Sequence, residues 1–132
     1  MARDICAIIV TWNSGKEINR ILPVVTGQVK SVVVVDNGST PENLKVLRET
    51  LSPFKNITLI KNRENEGIAH ALNRGAEFAA GKGYEWILTL DDNGKPGPDM
   101  VKTMLAAYRK LPESEQSKTA ITSHTNNKSI NV

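Results

Sequence analysis

Val32–Thr40 reads VVVVDNGST: four valines run into an aspartate, followed by residues that belong to turns and helix caps. A continuous β-branched run without polar alternation is the pattern of a strand covered on both faces. Such strands belong to parallel sheets layered between helices. Asn37-Gly38 tolerates positive φ, and Ser39-Thr40 ahead of Pro41-Glu42 supplies a capping residue and then a proline at the first helical turn. This stretch therefore predicts a strand ending at Asp36, a tight turn, and a helix.

The same alternation extends in both directions. Ile5–Thr11 (ICAIIVT) predicts a strand before it, and Asn56–Lys61 (NITLIK) and Glu85–Leu90 (EWILTL) predict two after it. Thr119–Ser123 (TAITS) is a weaker fifth strand. Gly15–Val25 predicts a helix with Ile18, Ile21, Leu22 and Val25 on one stripe. A third helix covers about Glu66–Ala80, with Ile68, Leu72, Ala76 and Ala79 inward, and a fourth covers about Pro98–Lys110, with Val101, Leu105 and Tyr108 inward. Strands alternating with helices define an α/β class, with a mostly parallel sheet and helices on both faces.

Composition narrows the function. The 132 residues fit one domain of ordinary size. A net charge of +3, spread along the chain, and two each of Trp, Tyr and Phe do not describe a nucleic-acid surface. The single cysteine, Cys6, excludes an internal disulfide framework and a multi-cysteine zinc site, and it reads as a core residue of the first strand. No apolar run approaches the roughly 18–20 residues of a membrane span, and Met1–Asp4 carries no signal-peptide pattern. The expectation is a cytoplasmic chain.

In open parallel sheets, ligands bind beyond the carboxyl ends of the strands. Trp12-Asn13, Asp36-Asn37-Gly38-Ser39 and Asp91-Asp92-Asn93 each follow a strand-like run, so three separate strands send polar residues to one edge. Asp36 is either a turn-and-cap residue or a carboxylate that accepts hydrogen bonds from a nucleotide base or ribose. Asp91-Asp92-Asn93 is either a solvated turn, since Asn93–Gly97 is dense in turn formers, or a set of hard oxygen ligands suited to Mg²⁺ or Mn²⁺. Asn65 and Gly67 open the third helix, where small residues allow either close packing or ligand approach. The first turn, Thr11–Gly15, lacks the glycine pattern of dinucleotide-binding enzymes, and there is no P-loop.

Taken together, Ile8–Asn13 (IIVTWN), Val32–Thr40, Asn65–Gly75 (NEGIAHALNRG) and Trp86–Asn93 (WILTLDDN) resemble the family 2 glycosyltransferases of the GT-A fold, closest to the rhamnosyltransferase-like branch. The resemblance covers about the first 110 residues. It implies a Rossmann-like sheet, with residues 1–111 forming the nucleotide-sugar-binding region and residues 112–132 a polar tail that starts a truncated acceptor half.

The resemblance also implies roles by position. Thr11, Trp12, Asn13, Asp36, Asn37, Asn65, Gly67 and Asp91 would bind the nucleotide, with Trp12 stacking on the base. Asp91, Asp92 and Asn93 would hold Mg²⁺ or Mn²⁺, Asn93 standing where the family often has a third aspartate.

The implied reaction moves a sugar from a UDP- or dTDP-sugar, dTDP-rhamnose among them, to the hydroxyl of a glycan or lipid-linked acceptor in polysaccharide biosynthesis. A lipid-linked acceptor would bring the chain to the inner face of the membrane. The base for that transfer is expected beyond residue 132, since no Asp or Glu follows Glu115. An apolar face left uncovered would favour a homo-oligomer. The alternative function is a module that binds nucleotide sugar without turnover. A sugar nucleotidylyltransferase is disfavoured, because the glycine-rich basic loop it needs after the first strand is missing.

Overall fold

The computed structural model describes residues 2–116. The expected fifth strand, Thr119–Ser123, lies outside them. Four strands form the sheet: β1 (Ala2–Thr11), β2 (Val29–Asp36), β3 (Ile57–Lys61) and β4 (Trp86–Asp91). The order is β3-β2-β1-β4, and every pairing is parallel. The four strands expected from the sequence are all present, with β1 and β2 extended at their amino ends.

Five helices are described: α1 (Leu22–Val25), α2 (Pro41–Leu51), α3 (Ile68–Gly81), α4 (Met100–Arg109) and α5 (Glu113–Gln116). Residues up to Pro98 form one compact unit, and a second begins at Asp99. The break comes where the Gly/Pro-rich stretch ends, ahead of the compositional change at Pro112. Within the second unit α4 buries Val101.

Two strands are buried on both faces, as their unbroken apolar runs require. On one face Cys6, Ile8, Val33 and Val35 meet Ala71 and Ala79 of α3. On the other, Ala7, Ile9, Val32 and Val34 are equally buried, together with Leu44, Leu47 and Leu51 of α2. The edge strands differ: β4 alternates half-buried with exposed positions, and Ile87 is exposed. Among the described residues β4 has one strand neighbour, so one of its faces is left uncovered. Burial holds Cys6 in its neutral form by pushing the thiol upward, partly offset by hydrogen bonds from Ser31 and the Val33 backbone.

Two helices depart from the expected pattern. The segment expected as one helix over Gly15–Val25 is a 3₁₀ turn, Glu17–Arg20, followed by the single turn of α1. Pro23 has no N–H to donate back to Asn19, so a continuous helix would lose that bond. Its stripe of Ile18, Ile21, Leu22 and Val25 is buried all the same.

In α3 the inward stripe is Ala71, Gly75 and Ala79, whereas Ile68 is 58% exposed. The physical reason is clearance. A Cβ on Gly75 would stand 2.6 Å from Ile8 Cγ2 and 3.3 Å from Val35 Cγ2. Leu72, Ala76 and Phe78 flank this contact, partly buried.

Gly75→Ala is therefore expected to lower the melting temperature. Overpacking a core typically costs about 1–3 kcal/mol, against about 1 kcal/mol gained by removing glycine from a helix interior. A melting temperature equal to or above wild type would overturn the close-approach reading.

Candidate functional site

The strand order reverses direction between β1 and β4. The chain goes from β1 to β2 to β3 on one side and then crosses back to β4 on the other. A crevice opens at such a switch point, at the carboxyl ends of the strands. The register brings the polar strand ends together across β1: Thr11 pairs with Asp36 of β2, and Val10 pairs with Asp91 of β4.

The turn after β1 is held in an unusual shape. Asn13 has φ of 53°, one of the few left-handed positions that asparagine tolerates. Three contacts hold it there. Its N–H donates to Ser39 Oγ (2.8 Å), and its Oδ1 accepts from the Thr40 N–H (3.0 Å) and from Asn43 Nδ2 (3.2 Å). Trp12, beside it, is 55% exposed and presents an open aromatic ring. Thr11 is 1% exposed, and its Oγ1 is buried without a hydrogen-bond partner among the described residues.

Asp36 turns inward. It is 0% exposed, and Ser39 serves both of its oxygens: the Ser39 N–H donates to Oδ2 at 3.1 Å and the Ser39 hydroxyl donates to Oδ1. Since the same Ser39 hydroxyl accepts from Asn13, the Asp36 carboxylate fixes the turn after β1 through one intermediary. Ser39, legible in the sequence only as a capping residue, is thus the link between two strand ends. Thr40 is the residue that caps α2, its Oγ1 accepting from the Asn43 N–H.

Asn37 is a keystone. Its Oδ1 accepts from Asn62 Nδ2 (3.1 Å) and the Glu66 N–H (3.1 Å), and its Nδ2 donates to Asn65 Oδ1 (3.0 Å) and the Gly67 carbonyl (3.3 Å). An amide side chain offers two donors and two acceptor lone pairs, and here all four are used within the protein. Asn37, 3% exposed, therefore holds the segment before α3 in place. Asn65 is exposed, and its Oδ1 also accepts from the Gly67 N–H at 3.0 Å. Gly67 precedes α3 with φ of 86°. Asn62 and Arg74 complete the network, Arg74 donating to the Lys61 carbonyl (3.0 Å) and to Asn62 Oδ1. Neither residue stood out in the sequence, because nothing local marks an asparagine as buried.

The turn after β4 carries the acids. Asp91 and Asn93 are exposed and Asp92 is half-buried. The Gly94 N–H donates to the Asp91 carbonyl at 3.1 Å, closing a tight turn. Asp92 Oδ2 accepts a hydrogen bond from the Ser14 hydroxyl. Among the described residues no cluster of three or more His, Cys, Asp or Glu side chains stands ready to enclose a metal. The donor set is two adjacent carboxylates and an amide oxygen. That set suits a Mg²⁺-like ion, which is characteristically held by one or two carboxylates with phosphate oxygens and water completing its shell.

Comparison with known proteins bears on these residues directly. The model of the family described as Glycosyl transferase family 2 matches residues 6–125. An uncharacterised protein of Methanocaldococcus jannaschii is 33% identical over 101 residues, covering 75% of this chain and 44% of its own length. The dTDP-rhamnosyl transferase RfbF of Shigella flexneri is 32% identical over 105 residues, covering 79% of this chain and 34% of its own length. Among solved structures, the mannosyltransferase PcManGT from Pyrobaculum calidifontis, in complex with GDP-Man and Mn²⁺, superposes with a TM-score of 0.63 at 26% identity. That superposition covers 83% of this chain and 32% of the neighbour. The chain thus spans well under half the length of the relatives it matches.

Proposed function

The chain belongs to glycosyl transferase family 2, and from that premise we propose that it binds the nucleoside-diphosphate-sugar donor of a transfer to an acceptor hydroxyl. The observation that carries the reading is the convergence of three turns, after β1, β2 and β4, at the switch point of the sheet.

Trp12 offers its exposed ring to the base, and Asp36 and Asn37 shape the pocket wall from within. The unpartnered Thr11 hydroxyl is a buried polar atom of the kind that a ligand satisfies. Asp91, Asp92 and Asn93 would hold Mg²⁺ or Mn²⁺ against the diphosphate, where a divalent ion supplies charge neutralisation for the leaving group. The Mn²⁺ and GDP-Man named with the mannosyltransferase neighbour support this placement. The rhamnosyl transferase relative supports a dTDP-sugar, dTDP-rhamnose first, with a UDP-sugar as the second choice.

In the transfer, the acceptor oxygen forms a bond to the anomeric carbon as the bond from that carbon to the diphosphate oxygen breaks. The acceptor proton passes to a general base, and nucleoside diphosphate departs. We place that base, and the contacts to a glycan or lipid-linked acceptor, in the part of the relatives that this chain does not span. No described helix is long and apolar enough to cross a membrane, so contact with a membrane surface would come through the acceptor.

A thermal-shift screen of UDP, dTDP and GDP and their sugars, with and without Mn²⁺, tests the binding. A ligand at about 100 times its dissociation constant adds roughly 2.7 kcal/mol. A Mn²⁺-dependent rise in melting temperature with one nucleoside diphosphate is the expected result, and no rise with any of them would overturn the proposal. Acceptor-dependent turnover by these 132 residues alone is expected to be negligible, since losing a general base typically costs about 10²–10⁴-fold. Robust turnover would show that the base lies within the chain. Binding without turnover, even after extension to the full length of the relatives, would favour the non-catalytic module.

A further inference from the structure

We propose that Ser14 is the positioning residue for Asp92, and that through it the turn carrying Trp12 and the acid pair after β4 act as one rigid unit. The inference rests on the proposed function and adds to it a residue that neither the sequence pattern nor the relatives single out.

The hydrogen-bond polarity leaves Ser14 no choice. The Trp12 N–H donates to Ser14 Oγ at 3.3 Å, and a backbone N–H cannot accept. The single hydroxyl proton is therefore directed to its other partner, Asp92 Oδ2, 78 residues away in sequence. A hydroxyl donating to a carboxylate makes a charge-assisted hydrogen bond, stronger than its neutral counterpart. It fixes the carboxylate rotamer by occupying one oxygen and leaves Oδ1 as the atom to meet a cation.

Ser14 can do this because its own support does not involve the acids. Asn13 next to it is pinned in the left-handed region by Ser39, Thr40 and Asn43. Gly15 on the other side seats the loop against α2, where a Cβ would stand 2.8 Å from the Leu47 backbone nitrogen. The acid pair is exposed and half-exposed on a glycine-containing turn and has no comparable anchor of its own. Ser14 lends it the rigidity of the β1–β2 side. Outer partners that orient a metal-binding carboxylate typically change metal affinity by 10–100-fold when removed.

The test compares Ser14→Thr with Ser14→Val, two side chains of the same shape that differ in the hydroxyl alone; Ser14→Ala joins them as the plain deletion. Bound Mn²⁺ is read from the loss of its free-ion paramagnetic signal in titrations with UDP, dTDP or GDP. Nucleoside diphosphate binding in chelator is read separately from tryptophan fluorescence. The Thr variant is expected to bind Mn²⁺ nearly as wild type, and the Val and Ala variants about 10–100-fold more weakly. Affinity in chelator should be the same for all, a separation that general damage to the fold would not produce. A Val variant that binds Mn²⁺ as tightly as the Thr variant would overturn the role of Ser14 and leave the proposed function standing. Wild-type protein without Mn²⁺-dependent binding would overturn both.

Discussion

Replacing Asp92 with alanine is expected to erase the Mn²⁺-dependent component of nucleoside diphosphate binding, so that affinities in Mn²⁺ and in chelator become equal. Asp92 is half-buried, and its one described bond is to Ser14, so its removal leaves no core polar group unpaired. The stability loss should stay near the roughly 1 kcal/mol of a single hydrogen bond. Asp92→Asn keeps the shape and an acceptor for Ser14 but removes the charge, and it should fail in the same assay. Asn93→Asp should preserve or strengthen binding, since it adds an anionic oxygen beside two others. Titration calorimetry of wild type and the three variants, each in Mn²⁺ and in chelator, decides the matter. Equal affinity of the wild type in both conditions would count decisively against a metal site at this turn.

The largest stability effect is expected at Gly38. Its φ of 86° lies in the left-handed region, where a non-glycine residue costs about 1–2 kcal/mol. A Cβ built there would stand 2.4 Å from the Glu64 carbonyl carbon and 2.7 Å from the Asn65 nitrogen, both backbone atoms that no rotamer change can move. Adding overpacking of about 1–3 kcal/mol gives a loss of about 2–5 kcal/mol for Gly38→Ala. Relative to the 5–15 kcal/mol that holds a typical domain together, this is a large fraction. The same displacement pushes away the segment that Asn37 holds, so nucleoside diphosphate binding should fall with the melting temperature. Gly67→Ala is the control: it has the same φ but nothing within 4 Å, and should lose the backbone strain alone. A Gly38→Ala protein as stable as the Gly67→Ala protein would show that the turn yields to the added methyl group.

The residues with the strongest local signals behaved as those signals require. The valine run of β2 and the apolar run of β1 became central strands because neither contains a polar position that could face water. Thr40-Pro41 began α2 because the threonine oxygen accepts the third N–H and proline gives up none. The family resemblance, carried by four short blocks in order, agrees with the family model that spans residues 6–125. The edge at which polar residues gather was also readable, since it follows from where strands end in a parallel sheet.

The rest depended on partners far away in the chain. Periodicity reports which residues of a helix share a face, but not how closely that face approaches the sheet. The clearance over Ile8 and Val35 therefore selected Ala71-Gly75-Ala79 and turned Ile68 outward. Pro23 broke the first helix into two short pieces, although the apolar stripe it carries was correctly placed. At the site, Asp36, Asn37 and Asp92 look alike in sequence, each a polar residue just past a strand. Burial separates them: Asp36 is enclosed by Ser39, Asn37 spends all four hydrogen bonds on the segment before α3, and Asp92 stays half-exposed beside Ser14. These bonds span from 3 to 78 residues of sequence, and a local pattern carries no information about which distant group will arrive to accept or donate. Sequence alone determined the fold class, the strand ends and the chemistry available at them. The tertiary structure decided which of those polar atoms are consumed in holding the turns and which remain to meet a ligand, because that depends on the approach of groups from other strands.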